Sequence, residues 1–395
     1  MFSLQTKFRL GKSLVLKRNP AYVQFYITAR CNLTCEQCNI IYANSDLPEI
    51  DLNGIKKIAF NLSKLGVSIV LLTGGEPFLR KDLPEIIAAF KSNGIHVRIQ
   101  TNGLASESAI KRCVEHGAND ISISLDSLQP SRQDKINGGF ESSWDSAIKA
   151  ISLFGKHLPK KSFASLGCVL SKSNISDVLD VIRFGTQIGW HTSLVPVHVT
   201  NLAQPRGFRT TDQALRFDSS SVGSAVEVLR NARKMRDEGY LLYDSDQYLD
   251  DIGRFISGER VMWRDKHSGV CDSPNLYFAI LPNGEFAPCC DYRIEDAVNC
   301  SSDDFPQVYR SMNFQKQVIG IVRDCEGCMY GSYPEVTISM RFWEVALRRA
   351  ILFGLSRNQS KGTLSKDSPE ELTLLARRIA NSSFGNVIVS DAKKY

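Results

Sequence analysis

No stretch of this 395-residue chain approaches the run of ~20 apolar residues that a membrane-spanning helix needs. Nor does it open on a secretory signal, because Lys7, Arg9, Lys12 and Lys17 interrupt what would be its apolar core. Low-complexity tracts and clear internal repeats are missing, so neither a repeat array nor a disordered scaffold is expected. Histidine is scarce: six are scattered with no i,i+4 metal spacing, and only His191 and His198 fall where strands begin or end. Charge of one sign is not concentrated enough to suggest nucleic acid; the net +6 comes from interspersed acids and bases without a dense basic stripe. What remains is ordinary: 43% hydrophobic and 23% charged residues, in a chain long enough for a main domain and a smaller one.

Cysteine, by contrast, is plentiful, with eleven residues. In the absence of a signal, and with most of them at metal-ligand spacings, they imply a reducing cytoplasm and iron–sulfur use rather than disulfides. Cys31, Cys35 and Cys38 form a C-x3-C-x2-C run directly after the apolar stretch Tyr22–Thr28. Four thiolates close the shell of a structural zinc or a complete [4Fe–4S] cluster. Three on one short loop hold three irons and leave the fourth open to a chelating ligand. The longer first gap also departs from the C-x2-C-x2-C run of bacterial ferredoxins.

Residues 21 to about 200 alternate apolar strands with amphipathic helices. Strands are expected at Tyr22–Thr28, Ser68–Leu72, Val97–Thr101, Asp120–Leu125, Ser162–Leu170 and His191–Val199. Helices are expected at Leu52–Leu65, Asp82–Ser92, Glu107–His116, Trp144–Leu158 and Ile175–Ile188. Such alternation implies right-handed βαβ units and a parallel sheet, although periodicity alone does not separate an open barrel from a doubly wound sheet. The second strand runs into Thr73-Gly-Gly-Glu-Pro77, the third into Asn102-Gly103 and the fourth into Asp126-Ser127. Strand ends are where barrel-type folds build their sites.

On the cysteine run and these strand-end motifs, the sequence resembles the radical S-adenosylmethionine (SAM) superfamily. The resemblance implies an α/β fold, a partial (β/α)6 TIM-like barrel. It also implies a [4Fe–4S] cluster on Cys31, Cys35 and Cys38, whose open iron is chelated by SAM, and release of a 5′-deoxyadenosyl radical. By the same resemblance Gly74, Gly75, Glu76 and Pro77 form the GGEP motif that binds the SAM amino group. Ser124 and Asp126 then lie near its ribose or methionine part, with Asn102 nearby. Gln37 stands where the family usually has an aromatic residue packed near the adenine. Lys135-Ile-Asn-Gly138 replaces the usual arginine-bearing pattern, leaving Arg132 as the nearest basic candidate. A flavodoxin- or ferredoxin-type reductant is the implied electron donor.

A second cysteine group lies downstream. Cys271 precedes Tyr277–Leu281, the turn Pro282-Asn-Gly284 and the pair Cys289-Cys290, a β-hairpin signal that brings Cys271 near Cys289. Cys325 and Cys328 add a C-x2-C pair. Spacing alone gives zinc and a second [4Fe–4S] cluster equal claims on Cys271, Cys289, Cys325 and Cys328. The arrangement resembles the single-cluster twitch version of the SPASM domain, which favours iron. Adjacent cysteines on a strand point to opposite faces, so Cys290 is the alternative to Cys289.

The expected organisation is an N-terminal extension (1–20), the barrel (21–218, ending in a polar linker over 201–218) and a helical connection (219–270). An auxiliary-cluster domain (271–334) and a C-terminal helical tail with a disordered end (335–395) follow. Among the remaining cysteines, Cys113 reads as a buried hydrophobe. Cys168, Cys290 and Cys300 are candidates for returning a hydrogen atom to a substrate radical, with structural burial as the plainer role. The apolar, aromatic segment 338–353, flanked by Arg341, Arg348 and Arg349, suits an interfacial helix on anionic lipid, but packing on the barrel or a dimer partner explains it equally.

The thirty residues ahead of Cys31 are fewer than the leader-binding domain of peptide-maturing relatives. The expected substrate is therefore a small molecule such as a sugar, aminocyclitol or nucleoside, undergoing dehydrogenation, epimerisation or decarboxylation. Peptide or protein modification is the alternative, a lipid substrate a third, and a non-enzymatic iron–sulfur or zinc protein the reading from outside enzymology. Sequence leaves the oligomeric state open.

Overall fold

A computed structural model describes residues 2–38, 46–198, 215–263, 271–323, 325, 327–355 and 364–382. The expected linker lies outside these up to residue 214, as does the end expected to be disordered after residue 382. An eight-stranded sheet in the order β6-β5-β4-β3-β2-β1-β7-β8 organises the chain. Its strands are β1 (Tyr22–Thr28), β2 (Ile69–Gly74), β3 (His96–Thr101), β4 (Asp120–Ser124), β5 (Phe163–Leu170), β6 (His191–Pro196), β7 (Tyr277–Ile280) and β8 (Phe286–Ala287). All neighbouring pairs run parallel except β7–β8, the hairpin. Helices between the first six strands cover one face, and no pairing joins β6 to β8, so the sheet is open: a partial barrel.

Helix caps explain where the crossovers begin. Asp51 accepts from the Gly54 amide at the start of Leu52–Leu65, and Ser106 accepts from Ala109 at the start of Glu107–Glu115. Gly66 ends the first of these in the left-handed conformation at φ +85°. The inner strands alternate in chemistry. Val97 and Ile99 of β3, and Ile121 and Ile123 of β4, are fully buried towards the helices. Arg98, Gln100, Ser122 and Ser124 face the opposite way, into the barrel.

Four features differ from the sequence expectation. The hairpin is not set apart from the barrel: β7 pairs in parallel register with β1, Tyr22 opposite Tyr277 and Phe25 opposite Ile280. Its four residues are all buried, so an apolar run between two layers satisfies its backbone in the main sheet. A helix, Leu4–Leu16, occupies the N-terminal extension; Ser3 caps it by accepting from Thr6 at 3.0 Å. A short helix, Pro130–Ile136, follows β4, started by a proline at its first position. Finally, segment 338–353 is not one helix. Ser332–Arg341 and Trp343–Ala350 are separated at Phe342, whose φ −105°, ψ 110° are extended.

Candidate active site

β1 leads straight into the cysteine loop, and several contacts fix how it leaves the sheet. Buried Arg80 donates Nη1 to the carbonyls of Ile27 (3.2 Å) and Ile50 (3.0 Å) and pairs with Asp82 at 2.6 Å. The Gly75 amide donates to Thr28 O and the Glu76 amide to Arg30 O, both at 2.8 Å. A Cβ at Gly74 would collide with the Thr28 carbonyl, and one at Gly75 with the Arg30 carbonyl. Gly74 also sits at φ +133°. The two glycines thus let the exit of β2 lie flat on the start of the cysteine loop.

Glu76 completes this junction. Its carboxylate accepts from the Phe78 amide (3.0 Å), Thr101 Oγ1 (2.8 Å) and the Asn102 amide (2.8 Å). Burial pushes its carboxyl up to about 7 against those three donors. On the other side, the Glu36 amide donates to Ile136 O at 2.9 Å, and Cys35 Sγ lies 3.4 Å from Asn137 Oδ1. Gly138, at φ +84°, leaves no room for a Cβ beside Thr34. The segment 135–138 therefore braces the cysteine loop from below. Gln37 Nε2 donates to Asp126 Oδ2 at 2.9 Å, tying the loop to the end of β4.

Cys31, Cys35 and Cys38 all line one cavity of 790 Å³ that runs through the barrel. Gly74, Gly75, Gln37 and Asn102 line it near these thiols; Ser124, Asp126 and Cys168 line it at the ends of β4 and β5. Burial raises the Asp126 carboxyl to about 7 although Val169 N and Gln37 donate to it. Asn102 Nδ2 reaches Asn32 Oδ1 at 2.8 Å and lies 3.9 Å from Cys31 Sγ.

Other expected site residues stand elsewhere. Glu76 and Pro77 are buried beneath the cavity wall, Glu76 as a brace rather than an open ligand group. Arg132 does not line the cavity; its guanidinium is taken by Asp177 and by Ser176 at 2.8 Å. Cys300 is fully buried away from the cavity, its amide on Gly284 O, and drops out as a hydrogen donor. Cys290 drops out as well: its thiol is 2.6 Å from Tyr26 Oη and 3.6 Å from Tyr333 Oη, outside the cavity. Cys168 is a cavity-lining residue at the end of β5, but its fully buried side chain packs on the helix side with Leu166 and Leu170, because Ser165, Gly167 and Val169 are the inward positions of that strand. Burial and Asp126 raise its thiol.

The second cysteine group assembles around the hairpin. Cys271 lies 3.5 Å from Tyr277 Oη. Its thiol is pushed up to about 11 by burial and by Cys325. Cys289 is raised by burial, Asp291, Cys290 and Cys271; Cys328 by burial, Cys289, Asp291 and Cys325. Cys271, Cys289, Cys325 and Cys328 thus act on one another, whereas Cys290 turns to the tyrosines.

Residues missed in sequence include Gln24, Arg98 and Gln100, the inward polar positions of β1 and β3, together with Tyr330, which stacks on His198 at 3.9 Å. Burial lowers His198 to about 3, leaving a neutral ring at the cavity wall. Arg98 donates to Ser165 Oγ at 2.9 Å, and its guanidinium lies 3.7 Å from Asp120. Burial would raise Asp120, but Arg98 and His96 outweigh it and hold its carboxyl below the usual range. The signal for Arg98, Gln100 and Asp120 was the strict polar–apolar alternation of Val97–Thr101 and Asp120–Ser124.

Beside the cavity, Asp244 accepts from Ser193 Oγ (2.9 Å) and the Leu194 amide (2.7 Å). Burial, with nearby Glu335, raises its carboxyl to about 8. The folded state therefore keeps a proton that the unfolded state releases near pH 4. That stability is complete below pH 4 and is lost as pH rises towards 8. Asp244→Asn, always neutral and still an acceptor, is expected to be more stable than the wild type at pH 8, by on the order of 1–2 kcal/mol. The advantage should vanish near pH 4 in chemical denaturation; an equal difference at both pH values would refute the assignment.

An open, mostly parallel α/β barrel with three cysteines on the loop after its first strand is a scaffold for metal-cluster chemistry at the strand ends. Residues 25–185 match the Radical SAM superfamily. Those residues thus form a radical SAM domain within the chain. It is similar to a probable GTP 3′,8-cyclase of Methanococcus maripaludis, 31% identical over 170 residues, covering 40% of this chain and 57% of that protein. It is also similar to an Fe-coproporphyrin III synthase of Methanosarcina barkeri, 26% identical over 269 residues, covering 66% of this chain and 58% of that one. The chain thus spans little more than half the length of these curated relatives. Among solved structures, Streptococcus suis SuiB bound to S-adenosylmethionine superposes with a TM-score of 0.59 at 17% identity, over 80% of this chain and 71% of that one. Native anSMEcpe with bound AdoMet and a Cp18Cys peptide gives 0.54 at 15%, over 86% and 100%.

The family implies a [4Fe–4S] cluster and SAM, and the donor set fits them. Burial raises the Cys31 and Cys35 thiols; Cys38 raises both, with Glu76 acting on Cys31 and Asp126 on Cys35. Thiols crowded by carboxylates and by one another become good ligands only when a cationic centre stabilises their thiolates. Among the described residues, no three His, Cys, Asp or Glu groups converge tightly enough for a single metal ion.

Proposed function

We propose that this chain is a radical SAM enzyme that abstracts a hydrogen atom from a small, polar molecule held inside the barrel. The observation that carries the reading is the continuity of one cavity from Cys31, Cys35 and Cys38 to the inward polar side chains Gln24, Arg98, Gln100 and Ser122. Bound at the three cysteines, the cluster and SAM supply a carbon-centred radical. The protein's part is to hold one C–H bond against that radical and keep water out. Its volume of 790 Å³ is in the range that encloses SAM with a compact substrate.

Arg98 and Gln100 offer donors to substrate oxygens, and Ser122 and Ser124 offer either role. Cys168, whose side chain packs on the helix side of β5, is not placed to return a hydrogen atom to a substrate in the lumen. The neutral His198–Tyr330 stack walls the cavity on the side of the second cysteine group, which we assign to an auxiliary [4Fe–4S] cluster. Two of the relatives are named for small molecules, GTP and coproporphyrin, in keeping with a small-molecule reading. Dehydrogenation, which needs no returned hydrogen atom, is the outcome this arrangement favours; epimerisation is the alternative and needs a donor in the lumen. Cytoplasmic reductants of flavodoxin or ferredoxin type would supply the electron.

The test is 5′-deoxyadenosine formation by anaerobically reconstituted protein with SAM and dithionite. Cys31→Ala is expected to lower it by at least about a thousandfold, since the cluster loses one of its three anchors. Equal product from the variant would overturn the reading.

A further inference from the structure

Two helices at the end of the barrel opposite the cysteine loop turn apolar stripes outward. In Leu4–Leu16 a polar stripe of Thr6, Arg9 and Ser13 faces the protein. Thr6 Oγ1 donates to Gly94 O at 3.4 Å, and Arg9 Nη1 donates to Val67 O at 3.1 Å and Gly94 O at 3.3 Å. Buried Ser13 lies on the same side. Three large apolar residues face away: Leu4 is 86% exposed, Phe8 75% and Val15 78%. Trp343–Ala350 repeats the pattern. Arg349 points inward, donating to Tyr243 O (2.7 Å) and Glu335 Oε2 (2.9 Å) and stacking on the Tyr243 ring. Trp343, Leu347 and Ile351, four residues apart on one stripe, are 73%, 48% and 47% exposed.

The segments flanking the two helices meet: Phe2, just ahead of the first, packs on Phe353, just after the second, with ring centroids 4.9 Å apart. Single exposed apolar residues are common, but two helices presenting their apolar stripes together at one end mark an interaction surface. Charge decides what covers it. Residues 1–21 contain Lys7, Arg9, Lys12, Lys17 and Arg18 and no acid, so five of the chain's net excess of six positive charges lie here. Lys7, Lys12, Arg18 and Arg348 are exposed beside the apolar residues, Arg348 lying 3.6 Å from Asp246, and Glu344 is the one acid on the two helices. A symmetric dimer through this face would set those cations against their own copies, an unfavourable arrangement. An anionic lipid surface accepts both halves of the pattern, with apolar side chains between acyl chains and cations among the headgroups.

We infer that this face docks the protein peripherally on an anionic membrane surface. The helices Leu4–Leu16 and Trp343–Ala350 also floor the barrel cavity, through Leu10, Gly11 and Leu14 on one and Ala346 and Ala350 on the other. Docking therefore sets the cavity floor one helix away from the lipid; the docking inference does not rest on the radical SAM reading.

The test is flotation of the purified, cluster-loaded protein with phosphatidylcholine vesicles, with or without about 30% phosphatidylglycerol, in about 0.1 M salt. Wild type is expected to float with the anionic vesicles and far less with the neutral ones. Lys12→Gln/Arg18→Gln should weaken anionic-vesicle binding about tenfold or more, and Phe8→Ser/Trp343→Ser at least as much. None of these four residues lines the cavity, so 5′-deoxyadenosine formation in solution should be unchanged, and thermal melting checks that each variant folds. Wild type remaining in solution with both vesicle types would overturn the inference, as would a Phe8→Ser/Trp343→Ser variant that floats equally well. Light scattering that shows a dimer which the same variant converts to monomer would overturn it too, by assigning the face to a second copy. Loss of 5′-deoxyadenosine formation with flotation intact would instead count against the catalytic reading.

Discussion

Gly75→Ala is expected to destabilise the protein by more than about 3 kcal/mol and to empty the three-cysteine site. The added methyl has nowhere to go: its nearest neighbour is the Arg30 carbonyl oxygen, a backbone atom that cannot rotate aside. Two hydrogen bonds depend on that approach, Gly75 N to Thr28 O and Glu76 N to Arg30 O. If β2 backs away, Glu76 also leaves Thr101 and Asn102, and Asn102 is the residue beside Cys31. Iron per chain should fall by about four and 5′-deoxyadenosine formation by at least about a hundredfold. Gly223→Ala is the matched control. A Cβ there meets nothing within 4 Å, and inside the helix Val222–Asp237 alanine should add about 0.5–1 kcal/mol. A Gly75→Ala protein with full iron and an unchanged melting temperature would show that the strand exit does not need its glycine.

Cys289→Ala and Cys290→Ala are expected to part company completely although the residues are adjacent. Fully reconstituted wild type should hold about eight iron atoms, four at each cysteine group. Cys289→Ala should retain about half of them, because its thiol belongs with Cys271 and Cys328. Cys290→Ala should keep all of them, because its thiol faces Tyr26 and Tyr333. Since neither substitution touches the Cys31 loop, SAM cleavage should survive in both. Iron analysis with Mössbauer spectroscopy distinguishes the outcomes: equal losses would make the pair interchangeable, and full iron in Cys289→Ala would remove it from the ligand set. Zinc in place of iron would return the second group to a purely structural role.

Much of the architecture was legible because each signal was local. Six apolar runs with crossover helices between them predict six parallel strands, and strand ends differ from expectation by only a few residues. What remained hidden depended on partners far away in sequence. Tyr277–Ile280 reads as half of a hairpin, and its pairing with Tyr22–Phe25 involves residues some 250 positions earlier. Glu76 reads as a ligand because it follows two glycines, yet burial and three donors make it a brace. Arg132 reads as the nearest cation, yet Asp177 lies closer than the cavity. One signal was present and unused: Arg98, Gln100, Ser122 and Ser124 alternate with buried Val97, Ile99, Ile121 and Ile123. A doubly wound sheet, apolar on both faces, would not show that alternation, whereas a barrel around a polar lumen does.

The pairing of β7 with β1 has a consequence for how the molecule avoids clumping. A half-open barrel would ordinarily leave the backbone of its first strand as a free edge, and β1 is seven residues long with every side chain buried. Such an edge is a template for another chain. Here β7 occupies it, and the sheet ends instead in β8, a strand of two residues. The far edge is shielded likewise, as Thr192 exchanges hydrogen bonds with Leu241 and Tyr243. Residues 271–290 are thus a cap as well as a carrier of cysteines, and a shortened chain ending before them would bare the stickiest strand in the protein.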